Sequence, residues 1–187
     1  MCECKLQIGV LLAIQFYRAL PNSIKVLSFD LDDTLYYNDE VIHQAEEAQY
    51  AVLSAALPDL QSHGLKPWLS LKWQVLKTNP QLKHDVTAWR KAVIDHGLRL
   101  LSRQYAKANA QLSDQPPSDC QWHELREQAF NAFYQARSDF TIEPAVFDVL
   151  SQLKQRFALV AITNGNVDIE RIGLSDYFLA YYRAGER

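Results

Sequence analysis

Asp30, Asp32 and Asp33 crowd together in the stretch "VLSFDLDDTLYY", directly after an apolar run. Like charges so close repel one another, and proteins tolerate them where a cation sits among them. Mg²⁺ is suited to such a place, because it takes hard oxygen ligands and commonly works with a substrate phosphate. A carboxylate can also attack phosphorus and form an aspartyl-phosphate. A second carboxyl two residues on can protonate the leaving oxygen and later activate water. The cluster therefore reads as a magnesium-assisted phosphoryl-transfer site. A second polar cluster, Thr163-Asn164-Gly165-Asn166, follows another apolar run, "FALVAI". There the Thr163 hydroxyl and the backbone N–H of Asn164 suit phosphate oxygens. Either cluster alone also has a plainer reading, as a turn or a helix cap. Asn-Gly is a hairpin signal too, but the following "VDIERIGL" does not alternate as a return strand would.

These clusters need strands to carry them. Residues 24–29 (IKVLSF) and 157–162 (FALVAI) read as short buried parallel strands, and residues 179–183 as a third. Between the first two the periodicity is helical. Val41, Ala45, Ala48, Val52 and Ala55 share one face of a helix capped by Asn38 or Asp39 and stopped at Pro58. A second helix opens at Pro67, and a third runs from Asp85 to about Gly97. "SDQPPSD" is a loop, and Trp122, Leu125, Ala129, Phe133 and Ala136 mark a fourth helix. Pro144 starts a fifth, and a short one spans Asp168 to Ile172. A helical run that long exceeds a single crossover, so it reads as an insertion between two halves of a parallel α/β sheet. Ligands of such sheets bind beyond the carboxyl ends of the strands, where both polar clusters fall.

The chain has 187 residues with a formal charge of −3, 48% hydrophobic and 22% charged, an ordinary globular composition. It holds no dense Lys/Arg stretch, so no nucleic-acid footprint is expected. Its three cysteines, Cys2, Cys4 and Cys120, make neither a zinc site nor a disulfide framework, and a reducing cytoplasm is expected. The apolar "LQIGVLLAIQF" near the start is too short to span a bilayer and lacks the basic start of a secretory signal. No membrane partner is expected, and the oligomeric state is left open.

"FDLDDTL" resembles the first motif of the haloacid dehalogenase-like superfamily of phosphatases, and "AITNG" its second. The helices between them look like that superfamily's helical cap. The resemblance implies a Rossmann-like parallel-sheet core, residues 22–40 and 141–187, with a cap over residues 41–140 and an N-terminal extension over 1–21. "QFYRALPNSIKVLSFDLDDTLYYN", "HDVTAWR", "LVAITNGN" and "LSDYFLAYYRAG" look like a bacterial flavin-pathway branch, whose members act on 5-amino-6-(5-phospho-D-ribitylamino)uracil or FMN. Carried over, Asp30 is the nucleophile and a Mg²⁺ ligand. Asp32 is the general acid/base and offers its main-chain carbonyl to the metal. Thr163 and Asn164 bind phosphate, and Asp33 is structural or caps the following turn. A dehalogenase relative usually lacks the second aspartate, so Asp32 favours phosphatase chemistry on a small phosphorylated metabolite.

The family pattern continues beyond the third strand into a lysine motif and an aspartate motif, whereas this sequence closes at "YYRAGER". Lys154, on a helix before the second motif, is a poor substitute for that lysine. The expectation is weak or no turnover by this chain alone, with a non-catalytic binder of a phosphorylated ligand or partner as the alternative. In the cap, His84 and Arg90 could face a phosphosugar and Trp89 could stack on a ring. The plainer reading has Asp85 capping a helix, Trp89 in the core and Arg90 solvated. Trp68, Trp73 and Trp122 suit the cap interior. His43, His63, His96 and His123 show no ligand-like spacing.

Overall fold

The computed structural model describes residues 24–57, 60, 64–108 and 118–184. The extension expected over 1–21 and most of the Ser-Asp-Gln-Pro-Pro loop lie outside them. Three strands, β1 (Val26–Phe29), β2 (Ala158–Thr163) and β3 (Ala180–Arg183), form one parallel sheet in the order β1-β2-β3. Phe29 pairs with Ala161, and Thr163 with Arg183, so the residues after β1 and β2 emerge at the same edge of the sheet. Between β1 and β2 run α1 (Asn38–Ala56), α2 (Leu65–Thr78), α3 (Val86–Ala108), α4 (Asp119–Ala136) and α5 (Pro144–Lys154). A 3₁₀ turn at Pro80–His84 joins α2 to α3.

The chain buries two apolar clusters. Leu31, Ile142, Leu150, Leu159, Ala161 and Val167 form one, under the sheet and against α5. Leu53, Trp68, Ile94, Leu98, Ala129 and Phe130 form the other, among α1 to α4. The sheet face bearing Val26, Ile162 and Tyr182 stays exposed among the described residues, although parallel sheets are commonly covered on both faces.

Local chemistry explains the starts of several helices. Ser118 and Gln121 close a capping box on α4. The Ala88 N–H donates to Asp85 Oδ1 at 2.9 Å, so Asp85 caps α3 as expected. Neither Asn38 nor Asp39 caps α1. Asn38 is already its first residue, and its N–H donates to Asp33 Oδ1 at 2.9 Å. The reach is made from a single helical turn, in which the Leu35 N–H donates to the Leu31 carbonyl at 2.9 Å. Asp33 adopts φ 54° in that turn, a left-handed conformation that aspartate tolerates better than most residues.

Two helix readings are corrected. Residues 169–173 form turns, not a helix. The third helix does not stop at Gly97 but continues to Ala108. Gly97 is there because α3 packs closely on α2: a Cβ would stand 2.4 Å from Cη2 of Trp68. Trp68 is 5% exposed, and Leu71 Cδ1 would stand 3.0 Å from the same Cβ. Gly97→Ala would gain about 1 kcal/mol of helix propensity. The overpacking penalty of about 1–3 kcal/mol outweighs it. We expect a net loss of about 1 kcal/mol, read as a lower urea midpoint at unchanged m-value. A gain in stability would show that the Trp68 ring gives way freely. Trp73 also departs from expectation, lying on the surface at 68% exposure.

Candidate functional site

The two polar clusters meet. Asp30 follows β1 and is exposed, its Oδ1 accepting only the neighbouring Leu31 N–H at 2.8 Å. It lines an open recess at the strand ends with Thr163, Asn164, Tyr182 and Arg183. Thr163 is buried, and its Oγ1 accepts the Gly165 N–H at 3.0 Å, which folds the Thr-Asn-Gly turn back over the strand end. Asp32 points the other way, under the helical cap, and abuts Gly165. A Cβ on Gly165 would stand 2.8 Å from Asp32 Oδ2. Asn164 lines both the recess and the cavity under the cap. Of the four residues singled out in the sequence, Asp30 and Thr163 line the recess, Asp32 lines the cavity, and Asn164 lines both.

Gly165→Ala would push the Asp32 carboxylate off its place. One displaced reacting group commonly lowers a rate by about 10²-fold. We expect kcat to fall by about that factor, with a loss of stability smaller than that of Arg137→Met, since the shifted carboxylate keeps part of its bond to Arg137. A variant as active as the parent would show that the position of Asp32 does not matter.

Asp32 is held by a residue that the sequence reading missed. Arg137, the C-cap of α4, is 1% exposed and its Nη2 donates to Asp32 Oδ1 at 2.6 Å. Nη2 also approaches the Tyr36 hydroxyl at 3.4 Å, and that hydroxyl donates to Asp32 Oδ1. Burial, reinforced by its bond to Asp32 and opposed by the charge of Arg137, pushes the Tyr36 hydroxyl well above its ordinary range, so it remains a donor. The signal was present in the sequence. Ala129, Phe133 and Arg137 recur every fourth residue, which continues the buried stripe of α4 onto an arginine.

The cavity under the cap has a volume of about 290 Å³. Arg90 is mostly buried there, its side chain 13% exposed and its Cζ 3.5 Å from the Phe133 ring centroid, so it is not the solvated cation of the plainer reading. Burial, and then the charge of Arg137, pull its guanidinium below the ordinary arginine range. Glu46 is buried beside it, ion-paired to Lys72 and 3.5 Å from Arg90 Nη2. Burial and then the charge of Arg90 bring the Lys72 ammonium down to about 8. Trp89 lines the cavity, with Nε1 tied to the Lys72 carbonyl at 3.2 Å. His84 is exposed and does not line it. Lys154 is engaged at the far end of α5, donating to the Asp176 carbonyl.

Comparison with known proteins assigns the class: the chain belongs to the haloacid dehalogenase-like superfamily of hydrolases. Over 177 residues it is 36% identical to the 5-amino-6-(5-phospho-D-ribitylamino)uracil phosphatase YigB of Escherichia coli (strain K12), covering 92% of this chain. The chain spans 66% of that relative's length. Among solved structures it is similar to a 2-haloacid dehalogenase from Pseudomonas syringae pv. Tomato DC3000. That match has a TM-score of 0.68 and 30% identity, and covers 86% of this chain and 64% of that one. A haloacid dehalogenase-like hydrolase from Xanthomonas campestris shares the fold, with a TM-score of 0.50, 23% identity and coverage of 90% and 65%. No family model matches the chain.

Proposed function

We propose that this chain carries the nucleophile and phosphate-holding residues of a magnesium-dependent phosphomonoesterase, acting on a flavin-pathway ester such as 5-amino-6-(5-phospho-D-ribitylamino)uracil or FMN. The observation that carries this reading is the shared recess of Asp30, Thr163 and Asn164, with Asp32 beside Gly165 on its inner side. The phosphoryl group would sit in the recess and the alcohol would pass Asn164 towards the cap cavity. An Asp30 oxygen forms a bond to phosphorus as the P–O bond to the alcohol breaks, and the Asp32 carboxyl gives its proton to the departing oxygen. Asp32 then takes a proton from the water that releases phosphate. Asp32 also weighs against dehalogenase chemistry, although one similar structure is named a dehalogenase.

The donor set fits Mg²⁺ sparsely. The Asp30 carboxylate and the Asp32 main-chain carbonyl are hard oxygens, and Mg²⁺ often takes one or two carboxylates with water and phosphate filling the rest. Bound there, the ion would neutralise charge on the transferring phosphoryl group. Among the described residues no group of three His, Cys, Asp or Glu side chains could hold a metal. That sparse set is the observation behind a second reading, a protein that binds a phosphorylated ligand without cleaving it. No described helix is long and apolar enough to cross a membrane, and a cytoplasmic site of action suits a small soluble ester.

Phosphate release from FMN and from p-nitrophenyl phosphate, with Mg²⁺ and with EDTA, tests the reading. The expected result is release that needs Mg²⁺ and stops with EDTA. Release unaffected by EDTA would refute it. Binding of FMN without release would favour the second reading.

A further inference from the structure

Past Thr163 the chain leaves the sheet, and the turn at the strand end needs other supports. The Ala184 N–H still donates to the Thr163 carbonyl at 3.0 Å. Four residues on, Val167 is fully buried, and a buried carbonyl has to find donors. That of Val167 finds them in side chains of β3. The Tyr181 hydroxyl donates to it at 3.1 Å and Arg183 Nη2 at 3.0 Å. Arg183 Nε donates in turn to the Tyr181 hydroxyl oxygen at 3.1 Å. The three bonds close a triangle with two of its corners on one strand.

Strand alternation puts Tyr181 and Arg183 on the same face, and the register sets them beside Ala161 and Thr163, both buried. The buried face of a parallel strand ordinarily carries apolar residues. Here β3 ends instead on an arginine whose guanidinium is committed to a loop carbonyl. The other side of the same loop is held from the helices. Asn166 Nδ2 donates to Thr87 Oγ1 at 3.3 Å, and the Asp168 N–H to Ser138 Oγ at 2.8 Å. Those are bonds between neutral groups, whereas a charged donor makes a bond roughly twice as strong. Arg183 also lines the recess, with Asp30, Thr163 and Asn164. We infer that Arg183 is a positioning residue of the recess. With Tyr181 it holds the Val167 carbonyl, and through it keeps residues 163–166 in the shape that receives phosphate. The inference deepens the phosphatase reading and rests on it for the role of that turn, but its test reads binding and not turnover.

The probe is inorganic phosphate, titrated with Mg²⁺ against the whole chain and followed by the ¹⁵N–¹H shifts of Asn164 and Gly165. The parent should bind it, with both amide signals moving. Arg183→Met should weaken phosphate about 10–100-fold, and Tyr181→Phe about 2–10-fold. Arg183→Lys keeps a charged donor for the carbonyl and should recover most of the affinity. Tyr181→Phe is the sharper variant, because it removes a bond to the same carbonyl and leaves every charge in place. Circular dichroism verifies folding, and if Arg183→Met does not fold, Tyr181→Phe decides. A role in stability alone would lower the melting temperatures and leave the phosphate affinity of the folded variants at the parent value, which would overturn the inference. So would a Tyr181→Phe variant that binds as the parent does, since charge alone would then explain Arg183. A parent that binds no phosphate would also overturn it. Phosphate binding weakened in the expected order, without ester hydrolysis by the parent, would leave the inference standing and remove the phosphatase reading. Ester hydrolysis with phosphate affinity unchanged in the variants would do the reverse.

Discussion

Replacing Asp30 by asparagine is expected to lower phosphate release by at least about 10³-fold while leaving the fold untouched. The substitution exchanges a carboxylate for an amide of the same shape. The amide oxygen can accept the Leu31 N–H as Asp30 Oδ1 does at 2.8 Å, so the turn after β1 would keep its hydrogen bond. The side chain is exposed, and surface substitutions of this kind alter stability by about 0.5 kcal/mol or less. What is lost is the anionic oxygen that attacks phosphorus and the charge that would hold a metal. The check pairs a phosphate-release assay with a thermal melt. A variant that keeps more than about a tenth of the parent rate would remove Asp30 from the role of nucleophile, whatever the parent's absolute rate.

The largest effect on stability is expected at Arg137. Arg137→Met keeps much of the volume and removes the charge that faces Asp32 at 2.6 Å. Breaking a buried pair from one side costs about 3–5 kcal/mol, because the other charge stays behind without its partner. The Asp32 side chain is 18% exposed, and water relieves part of that penalty. A loss of about 3 kcal/mol is therefore expected, a large fraction of the stability of an ordinary domain. Chemical denaturation measures it. The sharper measurement is the cycle with Asp32→Asn. If the pair is the cause, the double variant should be less destabilised than the two single losses added together. Strict additivity would assign the cost to packing of the arginine stem.

The parts of the site that the sequence displayed are those in which chemistry is written locally. Asp30, Asp32 and the Thr163-Asn164 pair lie at the ends of apolar runs, and a parallel sheet has to bring such ends to one edge. The partners of Asp32 were less legible. Arg137 lies 105 residues away along the chain. At the end of a helix it resembles a solvated cation favoured by the helix dipole. Gly97 was misread for a related reason. Glycine ends helices when its φ is positive, but here it serves close packing, and only the Trp68 ring opposite distinguishes the two uses. Trp73 was placed inside because it is large and apolar, yet Trp68 already fills the space between α2 and α3, and Trp73 falls on the outer side. Residues 168–172 lacked enough length to nucleate a helix, and the Asp168 carboxylate accepts the Glu170 N–H at 3.0 Å, a local bond that favours a turn.

The helical unit leaves the sheet through Asp33, whose carboxylate holds the first turn of α1, and returns through Arg137 and Ser138. Ser138 Oγ accepts the Asp168 N–H at 2.8 Å, so the returning leg is also anchored beyond β2. Both legs are pinned within one residue of Asp32. The Asp32 carboxylate therefore stands at the point where the helical unit joins the sheet, held from the helices by Arg137 and set against Gly165 beyond β2. A change in how the helices seat on the sheet would thus be felt first at the group proposed to move the proton.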